Sequence, residues 1–238
     1  MNPSATPLRR QSSCASCAYR SSRMFCNLSP TALMEFDGLG MQMSLPKGAI
    51  VFHEDDVSNG VLILCTGQVK LSCSSKDGRT LILKIAMAGD VLGLGAVMSG
   101  CRYEVTAETL EPTIVKNIRP DEFLAFLEKH GQASMHAAKA LSEEYKSAFF
   151  DARRLALSPS AAGRLAAVLL DWGRAASAGK PEMIFTMTLT HEELANLAGT
   201  SRETVTRALG RFQKDKLIEI RGTSITIMAP ARLEALAS

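Results

Sequence analysis

Apolar and polar positions alternate in short runs through the first half of the chain, and the period lengthens to that of a helix in the second half. Between Met43 and about Arg119, the runs Ala49–Phe52, Val61–Leu64, Gln68–Cys73 and Thr80–Ile85 are bounded by turn residues. These are Pro46-Lys47-Gly48, Ser58-Asn59-Gly60, Thr66-Gly67, Lys76-Asp77-Gly78 and Ala88-Gly89-Asp90. Glycine reaches the positive φ that tight turns require, so the punctuation predicts strands closed into a small roll or barrel. Tyr103–Leu110 and Thr113–Ile118 flank Glu111-Pro112 and predict one more hairpin, in which Lys116 pairs near Ala107.

From Pro120 the pattern turns helical. Met135, Ala138, Ser142, Tyr145, Phe149 and Ala152 are spaced as the seam of a coiled coil. A neighbouring stripe of Ala137, Leu141, Ala148 and Leu155 is placed to cover the β-region. Two apolar stripes on one helix favour a dimer helix over an ordinary amphipathic one. Leu157-Ser158-Pro159-Ser160 ends it, because proline cannot continue a helix and restricts its predecessor. The organisation expected is a cysteine-containing segment over 1–29, a β-roll over 30–120, a long helix over 121–157 and an α+β unit over 158–238.

That last unit carries the most specific local signal. Thr190-His191-Glu192-Glu193 opens a short helix with a capping box, Ala198-Gly199-Thr200 is a turn, and Thr200-Ser201-Arg202-Glu203 opens a second helix in the same way. Two short capped helices joined by a glycine-containing turn match a helix-turn-helix, with Leu194, Ala195, Leu197, Val205 and Leu209 as its core. The second helix exposes Ser201, Arg202, Glu203, Thr206 and Arg207 at its N-terminal end, where base edges are read. Arginine bonds guanine bidentately, glutamate accepts from the cytosine amino group, and threonine meets the thymine methyl. Arg211, Lys214 and Lys216 suit phosphates, and Leu217–Ile220, Gly222 and Ile225–Met228 read as a β-hairpin wing.

Charge supports this placement. The chain carries +3 overall, yet Arg153 to Ser238 holds 12 Lys+Arg against 8 Asp+Glu, with a basic stripe between Arg202 and Lys216. No apolar run approaches the roughly 20 residues of a membrane span, and Met1 to Ser13 lacks the apolar core of a signal peptide, so a cytoplasmic protein is expected. P-loop, dinucleotide-binding glycine fingerprint, HExxH and nucleophile elbow are all missing from the sequence, which argues against an enzyme.

Thr200–Phe212, reading TSRETVTRALGRF, resembles the recognition helix of the Crp/Fnr superfamily of bacterial regulators. The glycine-punctuated roll, long helix and C-terminal winged helix-turn-helix match that family's order over nearly the whole chain. The resemblance implies an α+β fold: a cyclic-nucleotide-binding-like β-roll, a dimerisation helix and a winged helix-turn-helix. It implies a sequence-specific transcription regulator, working as a homodimer on a palindrome of double-stranded DNA, with RNA polymerase as a partner if it activates. Arg202, Glu203 and Arg207 resemble the cyclic-AMP receptor branch, and Thr206 the serine of the oxygen-responsive Fnr branch. A half-site containing TGA is common to both.

Two family sensing chemistries can be compared with the residues. The cyclic-nucleotide pocket uses a Gly-Glu pair and an Arg-Ser pair; here Leu94 follows Gly93 where the glutamate belongs, and Cys101-Arg102 stands for Arg-Ser. Poor nucleotide affinity is expected. The alternative is an N-terminal iron-sulfur cluster, of the 4Fe-4S type in the Fnr branch. Cys14, Cys17 and Cys26 offer three thiolates in a lead with four arginines and no acidic residue, and Arg20 and Arg23 nearby should favour thiolate. The family's fourth ligand falls at Lys116. Cys101 is a weak substitute, on the order of 20 Å along the strand if Lys116 pairs near Ala107. Cys65 and Cys73, on predicted strands, read as buried inert thiols. An Asp, Glu or His ligand, a structural zinc, a reversible disulfide, a small-molecule effector in the β-roll, and a nucleotide-binding module of a signalling complex stay open as readings.

Overall fold

The apolar runs of the first half form strands where the pattern places them, but the strands are shared between two sheets. The structure is a computed structural model that describes residues 6–7, 13–157, 160–177 and 182–237. Two units divide it: Met1–Ser75 with Leu83–Ser147, and Lys76–Ile82 with Ala148–Ser238. In chain order the first unit contains β1 (Thr6–Pro7), three 3-10 turns (Cys14–Ser16, Arg20–Ser22 and Met24–Cys26), α1 (Pro30–Gly38), β2 (Met41–Leu45), β3 (Ile50–Phe52), β4 (Val61–Thr66) and β5 (Gln68–Ser74). The chain continues through β6 (Thr80–Met87), β7 (Val91–Leu92), α2 (Leu94–Ser99), β8 (Thr106–Thr109), β9 (Thr113–Ile118), α3 (Pro120–Lys129) and α4 (Gly131–Leu157).

One sheet runs β1-β2-β9-β4-β7 and the other β3-β8-β5-β6. The expected hairpin of Tyr103–Leu110 with Thr113–Ile118 is therefore not formed: β8 and β9 lie in different sheets. Lys116 pairs with Gln42 on β2 and Ile63 on β4, while Ala107 pairs with Leu71 and Phe52. At this corner Thr113 packs against Gly67 (φ +89), where an added Cβ would stand 2.3 Å from the Thr113 hydroxyl oxygen, so the close approach favours glycine. Strand β9 lies between β2 and β4.

Two short helices escaped the periodicity. The first, α1, begins at Ser29, whose hydroxyl accepts from the Ala32 N–H, with Pro30 in the first turn. The second, α2, has six residues, too few to show a period. The polar lead cannot make a core of its own, as its composition implies, and it folds against the β-region instead. Phe25 and Leu28 are buried with Phe36, Ile63, Phe123, Phe126, Ala133 and Ala137, and the Phe25 ring lies 5.8 Å from Phe123 and 6.2 Å from His136.

The helix α4 keeps part of its expected stripe. Ala137 is buried and Leu141 packs at the edge of the same core, but that core stops there and Ala148 is exposed; the Leu155 side chain lies outside the described residues. On the expected seam, Met135, Tyr145 and Phe149 are 57%, 72% and 58% exposed, an apolar row uncovered by the described residues.

The second unit contains α5 (Ala161–Ser177), β10 (Met183–Thr186), α6 (His191–Ala198), α7 (Arg202–Lys214), β11 (Ile218–Arg221), β12 (Ser224–Ile227) and α8 (Pro230–Ala237). The wing hairpin β11–β12 forms as expected and gains β10 as a third strand. Gly173 of α5 allows this packing, since a Cβ there would meet Ile227 Cδ1 at 2.6 Å.

Phe25→Ala should remove about 3–5 kcal/mol, the usual cost of emptying a phenylalanine site in a packed core. Chemical denaturation of the full chain measures it. A loss below about 1 kcal/mol would mean that the lead is not part of the core.

Candidate nucleic-acid interface and thiol site

The first of the two capped helices is built as its sequence states. Thr190 Oγ1 accepts from the Glu193 N–H at 3.2 Å, and Glu193 Oε2 accepts from the Thr190 N–H at 2.9 Å. Gly199 closes α6 in the left-handed conformation (φ 58). The second cap is displaced by one residue from the expected box. Ser201, not Thr200, is the N-cap of α7, accepting from the Thr204 N–H. The Thr200 N–H is already given to the Ala195 carbonyl at the end of α6, so Thr200 belongs to the preceding turn.

Leu194, Ala195, Leu197, Ala198, Val205, Ala208, Leu209 and Phe212 are buried and fix α6 against α7. This leaves Arg202, Glu203, Thr206, Arg207 and Arg211 exposed on one side. Hydrogen bonds from its own backbone N–H and from Ser201, with Arg202 and Arg207 nearby, hold the Glu203 carboxyl below its ordinary range. It stays an acceptor at neutral pH.

Two contacts here have no signature in the sequence. The Arg164 guanidinium on α5 donates to the Ala198 and Gly199 carbonyls at 2.7 and 3.0 Å, which places a cation at the C-terminal end of α6. The Thr206 hydroxyl donates to the Arg202 carbonyl at 3.0 Å. Its single proton is thereby used, so His191 Nδ1, 2.9 Å away, must donate to it. His191 thus sets the orientation of the Thr206 hydroxyl.

The N-terminal cysteines sit on the three 3-10 turns. The Cys14 N–H donates to Asp37 Oδ1 at 3.1 Å, and the Ser13 hydroxyl donates to Asp37 Oδ2 at 2.9 Å. Lys116, where the resemblance puts a fourth ligand, is 3% exposed. Its ammonium donates to the Phe36 and Asp37 carbonyls at 2.6 and 2.9 Å. Arg23 Nη1 lies 4.0 Å from Cys17 Sγ, whereas Arg20 turns away to the Leu28 carbonyl.

The expected bias toward thiolate is reversed. Burial, then the hydrogen bond with Asp37, pushes Cys14 up to about 12. Burial, then the charge of Cys65, pushes Cys26 up to about 11 despite Arg23 and Lys116. Cys65 is also raised by burial and feels Cys17, Arg23 and Lys116. All six cysteines are free. Among the described residues no three His, Cys, Asp or Glu side chains close around a single metal ion.

Residues 42–130 match the cyclic nucleotide-binding domain and residues 163–236 the Crp-like helix-turn-helix domain. The chain is 29% identical over 231 residues to the nitrogen fixation regulation protein FixK of Bradyrhizobium diazoefficiens, covering 94% of each. It is 31% identical over 195 residues to the fumarate and nitrate reduction regulatory protein of Salmonella typhimurium, covering 81% of this chain and 77% of the other. The chain belongs to the Crp/Fnr family. Its fold matches that of FixK2 from Bradyrhizobium japonicum with a TM-score of 0.74 at 24% identity, over 83% of this chain and 96% of the other. As a Crp/Fnr regulator it binds DNA and controls transcription. Among its described residues no helix is long and apolar enough to cross a membrane.

Within the family's nucleotide-binding region, Leu94 is 1% exposed and buried in the core at the start of α2. Arg102 donates to the Asp55 carbonyl at 2.6 Å beside the isolated Val57–Arg102 bridge. Cys101 is exposed, its thiol 3.8 Å from the Ser99 carbonyl.

Arg207→Ala should cost roughly 1–3 kcal/mol of discrimination at one base position. Binding to single-base variants of the operator checks this, and equal weakening on every sequence would contradict a base-reading role. In the metal-free protein Cys14 and Cys26 should stay thiols at pH 8. Since folding raises both above the ordinary 9.0, the stability they contribute is present below pH 9 and is lost as pH rises through about 11 to 12. Ultraviolet thiolate absorbance followed during an alkaline titration, with Cys14→Ser and Cys26→Ser for assignment, reads this out.

Proposed function

We propose that this Crp/Fnr regulator responds to oxygen or redox state through an iron-sulfur cluster held by Cys14, Cys17 and Cys26, and that it reads a palindrome with TGA-containing half-sites as a homodimer. The observation that carries the sensing reading is where the thiol-bearing turns end. The Ser29 N–H donates to Gln132 Oε1 at 3.0 Å, Gln132 Nε2 donates to the Asn27 carbonyl at 3.2 Å, and Phe25 meets His136 edge-on. The cysteine loop is thus clasped by the first turns of α4, whose exposed Met135, Tyr145 and Phe149 supply a seam for a second copy.

The donor chemistry suits such a group. Three cysteines share a neighbourhood with Arg23 and Lys116, whose charges offset that of a thiolate cluster. When bound, the cluster supplies an oxygen-labile cross-link between the turns. The chain does the rest: Asp37 fixes the Cys14 turn, Gln132 and His136 hold the loop on α4, and α4 passes a change of loop order to the dimer seam. A cyclic nucleotide is the weaker reading, because Leu94 has no acceptor for a ribose hydroxyl and Arg102 is engaged at Asp55. The name of the Salmonella relative, which concerns fumarate and nitrate reduction, agrees with an anaerobic role.

Protein purified without oxygen should contain iron and sulfide and absorb visible light. Exposure to air should bleach it and change DNA affinity by about 5–150-fold, the usual range of coupling between sites. Gln132→Ala should reduce that ratio while leaving the cluster in place. An iron-free protein whose DNA binding ignores air would refute the cluster. An iron-free protein whose binding still follows thiol oxidation would assign the response to a thiol switch.

A further inference from the structure

We propose that Cys65 is the fourth thiolate ligand, completing the set begun by Cys14, Cys17 and Cys26. The assignment rests on the cluster reading above and adds the residue which that reading leaves open.

The sheet topology brings Cys65 into play. On β4 the side chains alternate between two cores. Leu62 and Leu64 face the interior between the sheets with Tyr103 and Ala107. Val61 and Ile63 face the other way, into the core that holds Phe25, Leu28 and Phe36 and against which Cys14 packs. Cys65 stands two residues beyond Ile63, and its thiol is near enough to Arg23, Lys116 and Cys17 to feel their charges, on the side of the cysteine-bearing turns. It also lies in a register shift, with Leu64 paired to Val115 and Thr66 to Ile114. A residue left over in such a bulge has no ladder partner opposite and is free to be re-aimed.

Strand β9 runs beside it. Lys116, at the family's ligand position, pairs with Ile63, two residues from Cys65. A thiol at 65 therefore approaches the same region from the neighbouring strand. Arg23 joins the two sides. A Cβ built on Gly89 would stand 3.0 Å from Arg23 Cγ, so the arginine stem lies over Gly89. The Gly89 N–H donates to the Leu64 carbonyl at 2.7 Å, and the far end of Arg23 reaches Cys17 Sγ. Cys17 and the 64–65 peptide are thus opposite ends of one side chain's span. The remaining cysteines lie elsewhere: Cys73 is on β5 of the other sheet, beside Glu54, and Cys101 is on the exposed turn after α2.

Assembly at this site takes ferrous and ferric iron in equal amounts, with sulfide, from the medium, so the mixed-valent core forms without a further oxidant. Each iron–thiolate bond forms as one thiol proton leaves to solvent, and Cys65 itself is neither oxidised nor reduced.

The test is anaerobic reconstitution of the full chain with equal amounts of ferrous and ferric iron and with sulfide, followed by iron analysis and Mössbauer and visible spectra. Wild type should take up about four irons, and Cys73→Ser and Cys101→Ser should match it. Cys65→Ser should lose the cluster or stop at about three irons, with a changed spectrum. A wild-type chain that binds no iron would overturn the cluster reading and this assignment together. A four-iron wild type matched by Cys65→Ser would overturn the assignment alone. Differential alkylation of wild type, read by mass spectrometry, tests the same ligand set without requiring any variant to fold. Air removal of the cluster should raise labelling at Cys14, Cys17, Cys26 and Cys65 together, and unchanged labelling at Cys65 alone would also refute it.

Discussion

A lysine ammonium buried beside a sheet must find acceptors, and in this chain that requirement ties the first unit together. Lys116 reaches from β9 to the last carbonyls of α1, where the helix dipole is negative and the Phe36 ring lies 5.1 Å from the charge. Stripped of those acceptors the cation would cost several kcal/mol to bury, so the end of α1 is held over the middle of the sheet. Asp37, at that same helix end, takes the Ser13 hydroxyl and the Cys14 amide. One buried charge thereby fixes the strand, the helix and the start of the cysteine segment. Residues that cannot build a core of their own are ordered by polar contacts to a neighbour's helix end and by two apolar anchors, Phe25 and Leu28.

The DNA-reading unit distributes its constraints differently. Its core is apolar and its ends are polar. The buried row of α6 and α7 sets their angle, and the caps at Thr190 and Ser201 satisfy the amides that each helix start leaves open. Arg164 does the same for the carbonyls of the turn. With these groups satisfied inside the unit, Arg202, Glu203, Thr206 and Arg207 stay exposed on α7.

Between recognition and sensing stands α4, whose two ends meet different demands. Its first turns are small and buried, Ala133 and Ala137 lying against aromatic rings, and Gln132 and His136 hold the cysteine loop. Its later turns present large aromatic side chains to solvent. The helix is thus half core and half exposed apolar row.

The sequence alone determined the elements whose information is local. Turn glycines marked the strands, the coiled-coil spacing marked the exposed apolar row of α4, and the first capping box with its glycine turn marked the helix-turn-helix down to its core residues. Such signals lie within a few residues of one another and survive without the fold. What only the tertiary structure decided was who faces whom. Glu111-Pro112 reads as a hairpin turn, yet β9 enters the other sheet between β2 and β4, so Lys116 faces Ile63 rather than Ala107. That one crossing changes which cysteine stands near Cys14, Cys17 and Cys26: Cys65 moves from an inert strand thiol to the candidate ligand. The same holds for His191 behind Thr206, for Arg164 under the turn, and for burial that raises the thiols which neighbouring arginines were expected to ionise. Each joins residues far apart in the chain, and pairings at that separation are set by the packing of whole sheets and helices, which no short stretch of sequence encodes.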